Sequence, residues 1–201
     1  MIFLVYTADH YHNLRLRYLA RSLISQLEKE GDYNLSFPND KTKSLSSLEP
    51  GQTLYIVGHG SRGSLTLSDL SAVELLELMS SCGFNPLTKF LNIILVSCHA
   101  GYKKTFNTPS FADEFYNKLT GEINSIEQHH RAKEGSLPKI IAPKHIIRYC
   151  AKSQTFIGIK QNNYQLCEEI KKLKPKSLSQ WYESHAEPLT IEDFSTTNTL
   201  I

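Results

Sequence analysis

Five short, mostly apolar runs punctuate the chain: IFLVY at 2–6, LYIV at 54–57, NIILVS at 92–97, KIIA at 139–142 and TFIGI at 155–159. Their apolarity is unbroken rather than alternating, which suits strands buried on both faces of a sheet. Helical spacing fills the gaps. Residues 13–30 (NLRLRYLARSLISQLEKE) are amphipathic and close at Gly31. The pattern predicts a second helix over 68–80, capped by Ser68-Asp69, with Ala72, Leu75, Leu76 and Met79 on one face. A third is predicted over 110–119, opened by Pro109-Ser110, carrying Ala112, Phe115, Tyr116 and Leu119, and stopped by Gly121.

Strands alternating with helices predict an α/β fold whose crossovers make a mostly parallel sheet. Residues 32–50 are polar and read as a loop with one edge strand. Residues 120–138 are polar and unpatterned, and read as a long exposed connection. From Trp181 onward the chain is polar with few apolar anchors. The expected organisation is one domain over 1–180 and a polar tail over 181–201.

Composition narrows the class. The 201 residues are 40% hydrophobic and 21% charged, with a mean hydropathy of −0.31. A net charge of +2 argues against a general nucleic-acid binder. The charge is uneven: residues 139–176 carry nine Lys/Arg against Glu168 and Glu169, a balance of +7. Residues 177–201 carry four acids and no Lys or Arg, a balance of −4. Such runs ordinarily mark solvated faces. Cys82, Cys98, Cys150 and Cys167 form no C-x-x-C pair, which points to free thiols in a reducing compartment. IFLVY is too short for a signal h-region, and no run approaches the roughly 18 apolar residues of a membrane span. The expectation is a protein of a cytosol, with no signal peptide and no membrane span.

Candidate chemistry concentrates at two strand ends. LYIVGHGSRGS at 54–64 contains Gly58, Gly60 and Gly63 in a G-x-G-x-x-G spacing. A dinucleotide site needs a helix starting within that loop and an acid ending the next strand. Here SLTLS intervenes before the next helix, and the next strand ends in Ser97-Cys98-His99. The alternative is that the loop presents His59. One crossover separates the two strands, so they are expected to be parallel neighbours, with His59 and Cys98 emerging at one sheet edge. An imidazole beside a thiol takes its proton or holds the thiolate as an ion pair. The thiolate attacks a carbonyl and the imidazolium protonates the leaving amine. Glycines beside His59 let a substrate backbone approach, and the N–H groups of Gly60 and Cys98 suit an oxyanion hole.

An apolar strand ending in His-Gly, followed by one ending in a small residue and Cys, resembles the caspase-like (clan CD) cysteine peptidases. The resemblance spans roughly residues 1–160 and takes in the Leu-rich helix between the motifs, SFADEFYNKL and KIIAP. GHG with SCHAG looks closest to bacterial members such as the self-processing domains of large toxins. It implies a three-layer sandwich, a mostly parallel sheet with helices on both faces. It implies His59 as catalytic histidine, Cys98 as nucleophile, and the Gly60 and Cys98 amides as oxyanion donors, with Ser97 in the small position before the cysteine. The substrate it implies is a specific protein or the chain itself. No cofactor is required by it, although some toxin domains of this type are switched on by inositol hexakisphosphate. Lys171, Lys172, Lys174 and Lys176 would be the point charges for such a polyanion. The 120–138 connection lies where such enzymes often carry a processing site. The substrate's P1 side chain is left open between Asp9, which favours Lys or Arg, and Arg15, which favours an acid.

Other candidates read more simply. Cys82, Cys150 and Cys167 are expected to be small core residues. His99 should point away from Cys98 by strand alternation. His10, His12, His129 and His130 lack metal-ligand companions and read as loop histidines. A non-catalytic caspase-like binding module, or another cysteine acyl-transfer enzyme, would use the same framework. The tail ESHAEPLTIEDFSTTNTLI shares its composition with C-terminal export signals of bacterial effectors, which would place the chain in a host cytosol. Oligomeric state has no sequence signal.

Overall fold

The structure, a computed structural model, describes residues 1–8, 13, 16–17, 19–20, 23, 35–36, 45–60, 65–88, 91–103, 105, 107–130, 137–144, 146–150, 155–159, 187–188 and 194–197. Five strands run parallel: β1 (Ile2–Leu4), β2 (Leu35–Ser36), β3 (Thr53–Val57), β4 (Asn92–Val96) and β5 (Lys139–Pro143). Further strands are β6 (Ile146–Cys150), β7 (Thr155–Ile159), β8 (Glu187–Pro188) and β9 (Phe194–Thr197). The main sheet has the order β2-β1-β3-β4-β5-β9, with β9 antiparallel to β5. Helices α1 (Ala72–Ser81) and α2 (Phe111–His130) form the crossovers between β3, β4 and β5.

The unbroken apolar runs are explained by a core on each face. Leu54, Ile93 and Ile140 stand in register, as do Phe3, Ile56 and Leu95. These rows pack with Leu75 and Met79 of α1 and Phe111, Phe115, Leu119 and Ile123 of α2. The alternate positions Ile2, Leu4, Val57 and Val96 pack with Leu16, Ala20 and Leu23, which are helical and buried. A strand with both faces in contact is apolar along its buried length, and the polar residues Thr53, Asn92 and Lys139 stand at the strand starts.

The helix boundaries differ from the sequence expectation. Ser68 and Asp69 do not cap α1; Ser71 does. Its Oγ accepts from the Glu74 amide at 3.3 Å, and the Glu74 carboxylate accepts from the Ser71 amide at 2.8 Å. This is a capping box, written in the sequence as Ser-x-x-Glu. For α2 the Ser110 cap holds, with Asp113 accepting from the Ser110 amide at 2.8 Å. Gly121 does not end the helix, which continues to His130. Phe115, Leu119 and Ile123 keep the four-residue repeat through the glycine, and their burial outweighs its conformational cost of about 1 kcal/mol. The expected exposed connection at 120–138 is therefore helical over its first half. Of the remainder, 131–136 lie outside the described residues.

A β-carbon on Gly121 would meet nothing within 4 Å. Gly121→Ala is thus expected to raise stability by about 0.5–1 kcal/mol, by cutting the freedom of the unfolded chain. Urea denaturation of the two proteins measures it; an unchanged or lowered midpoint would contradict this reading of the helix.

TFIGI is a strand, but in a second, antiparallel sheet of order β6-β7-β8. Within the polar tail, Phe194–Thr197 pair with β5, from Pro143↔Phe194 to Ile140↔Thr197. Among the described residues no helix is long and apolar enough to cross a membrane.

Candidate active site

The parallel register of β3 and β4 ends at Val57↔Val96. The Gly58 amide extends the pairing by one bond, to the Val96 carbonyl at 3.3 Å. Two residues beyond each strand stand His59 and Cys98. Both are partly exposed and Cys98 is in no disulfide, whereas Ser97 and His99 beside it are buried. The residues that flank Cys98 are thus buried, while His59 and Cys98 are partly exposed at one edge of the sheet.

The two loops touch. A β-carbon on Gly60 would overlap the Cys98 carbonyl oxygen and the Ser97 hydroxyl. One on Gly58 would lie 2.8 Å from Leu67 Cγ and 2.9 Å from Ser68 Oγ. A side chain at either glycine would collide with the neighbouring segment. Among the described residues the next helix starts at Ala72, past Gly58 and Gly60, rather than within the loop as a dinucleotide site requires.

Gly60 forms an isolated antiparallel bridge with Leu67. Its bond runs between the flanking residues, from the Ser68 amide to the His59 carbonyl at 2.6 Å. That makes Gly60 and Leu67 a non-hydrogen-bonded pair, a register that leaves the Gly60 N–H unused by the bridge.

Ser68 carries more of this loop than the sequence suggested. Its Oγ accepts from the His59 amide at 2.9 Å and donates to the Val5 carbonyl at 2.7 Å. The Val5 amide in turn donates to the Val57 carbonyl at 2.8 Å. Ser68 is 2% exposed. The sequence pattern marks it only as a helix cap, because its partners are backbone groups, one of them 63 residues away.

The Cys98 loop is fixed from its other side. His99 has φ +57°, a left-handed conformation that costs free energy in a non-glycine residue. Its Nδ1 lies 3.1 Å from the Lys144 carbonyl, so Nδ1 carries the proton and donates. Its ring meets Tyr102 edge-on at 5.7 Å. The Gly101 amide donates to the Pro143 carbonyl and the Ala112 amide to the Ala100 carbonyl, each at 2.9 Å. The end of β5 and the start of α2 together set the turn that carries Cys98. Just after it, Lys103 and Asp113 pair at 3.0 Å. Burial pushes the Asp113 carboxyl up, but hydrogen bonds from Ser110 and the Lys103 ammonium outweigh this and hold it below the usual carboxylate range. Ser97 Oγ is buried and has no hydrogen-bond partner among the described residues.

Cys82 is a core residue, 2% exposed, and Cys150 lies in β6. Cys167, Asp9, Arg15, His10, His12 and the lysines Lys171, Lys172, Lys174 and Lys176 lie outside the described residues. His129 and His130 end α2 rather than sitting in a loop. Among the described residues no group of three or more His, Cys, Asp or Glu is placed to hold a metal ion. Compared with known proteins, the chain matches no family model and no curated protein.

Proposed function

We propose that this chain is a caspase-like cysteine endopeptidase acting on a protein or peptide through a His59/Cys98 dyad. The observation that carries the reading is the pairing of β3 with β4, which ends both strands at one edge and sets the His59 loop against the Cys98 backbone. Helical residues packed on both faces of a mostly parallel sheet support the caspase-like three-layer architecture.

In the reaction, His59 takes the thiol proton and Cys98 Sγ attacks the scissile carbonyl carbon. The amides of Gly60 and Cys98 stabilise the oxyanion. The intermediate collapses, the C–N bond breaks, and the imidazolium proton leaves with the amine. Water, deprotonated by His59, then attacks the thioester and expels the thiolate. The open bridge register at Gly60 supports the amide's role, since that N–H is left for the substrate.

The test is to incubate a denatured cell proteome with the wild type and with Cys98→Ala, and to sequence the new peptide N-termini. Cleavages that appear with the wild type alone support the peptidase and reveal the P1 preference. Identical termini in both samples would reject it and favour a binding module. Intact-mass analysis of the two proteins alone shows whether the chain cuts itself within 131–138.

A further inference from the structure

We infer that Ser68 is a positioning residue for His59, holding the imidazole against Cys98 through the histidine's own backbone. The inference rests on the peptidase reading of the same site and extends it to a residue that touches neither thiol nor substrate.

His59 stands between two glycines, and a histidine so flanked has little local restraint on its backbone. Both of its backbone polar groups are nonetheless committed, and to the same residue. The His59 N–H donates to Ser68 Oγ at 2.9 Å, and the His59 carbonyl accepts from the Ser68 N–H at 2.6 Å. A hydroxyl has one proton and two lone pairs. Ser68 gives that proton to the Val5 carbonyl at 2.7 Å, which leaves its oxygen as an acceptor for His59. Neither alanine nor glycine can make this connection between the end of β1 and the histidine.

The turn that presents the hydroxyl is strained. Leu67 and Leu70 exchange hydrogen bonds of 2.8 and 3.0 Å around Ser68 and Asp69, whose φ values are +50° and +67°. Positive φ at both central positions is type I′ geometry, which favours Asn-Gly. A serine here costs more backbone strain than glycine, and it persists because three hydrogen bonds hold it. Such strain beside a reactive side chain is the mark of a site whose geometry is being set. In reactions that depend on alignment, a displacement of about 1 Å can cost about 10²-fold in rate.

The experiment uses the full chain with Ser68→Gly, Ser68→Ala, Ser68→Thr and His59→Ala. Glycine removes the hydroxyl while relieving the left-handed strain, so this variant keeps the test open if Ser68→Ala folds poorly. Two readouts are taken: the pH midpoint of Cys98 alkylation by iodoacetamide, mapped by mass spectrometry, and kcat and KM on a peptide the wild type cleaves. In Ser68→Gly, kcat is expected to fall about 10²-fold with KM little changed. The alkylation midpoint should move up toward the free-thiol value of about 8.5, approaching that of His59→Ala. Ser68→Thr retains the hydroxyl and should keep the wild-type midpoint, even where its added methyl lowers stability. A merely structural role would lower stability and leave the midpoint in place. A folded Ser68→Gly with wild-type kcat and midpoint would overturn the inference. A wild-type midpoint no lower than that of His59→Ala would instead sink the dyad, and the positioning role with it.

Discussion

Peptide hydrolysis is expected to fall by at least about 10⁴-fold in Cys98→Ala and in His59→Ala, and to fall no further in the double variant. In the proposed dyad the two side chains act as a unit: without the imidazole the thiol keeps its proton, and without the thiol the imidazole has no nucleophile to activate. Both residues are partly exposed, and neither belongs to the two buried cores. Each substitution should therefore change folding stability by no more than about 1 kcal/mol. Activity and urea denaturation on the same preparations separate the two effects. A His59→Ala protein with near-normal turnover would contradict the dyad.

Gly60→Ala should be the next most damaging change, and for a different reason. Its β-carbon would overlap the Cys98 carbonyl oxygen and the Ser97 hydroxyl. The carbonyl is backbone and does not rotate away, so the two loops must part. Overpacking of this kind costs about 1–3 kcal/mol. The shift would also move the proposed oxyanion donor, and loss of such a donor is worth about 10²–10³-fold in kcat. Gly60→Val should be worse on both counts. The contrast with Gly121→Ala is instructive, since the same added methyl is expected to stabilise a helix face that opens onto space. Retention of wild-type kcat in Gly60→Ala would remove Gly60 from the oxyanion hole.

What was legible in the sequence follows from what each element rests on. The four parallel strands β1, β3, β4 and β5 could be read because burial on both faces demands unbroken apolar runs. The parallel pairing of β3 with β4, which ends both strands at one edge, could be read because a single crossover favours adjacent parallel strands. The extension of α2 was hidden by Gly121, although Ile123 kept the repeat on which its burial depends. Strand β9 lay in a polar segment, because a four-residue edge strand is held by backbone pairing rather than an apolar pattern. In the sequence Ser68 reads as a helix cap, and its role in the His59 loop was hidden because every bond that makes it important is to a main-chain group. That reading puts the cap of α1 three residues early, at Ser68-Asp69, although the Ser71-x-x-Glu74 capping box that starts the helix is a local pattern of side chains.

The central claim, that Cys98 is a nucleophile activated by His59, is tested most directly by an irreversible thiol-directed peptide probe mapped by mass spectrometry. Wild type, His59→Ala and a urea-unfolded control are labelled at matched concentration. The account predicts that Cys98 is modified far faster than Cys82, Cys150 or Cys167 in the folded wild type. It predicts that this preference collapses in His59→Ala and in the unfolded chain. Equal labelling of all accessible cysteines, or selective labelling of Cys98 that survives loss of His59, would contradict it.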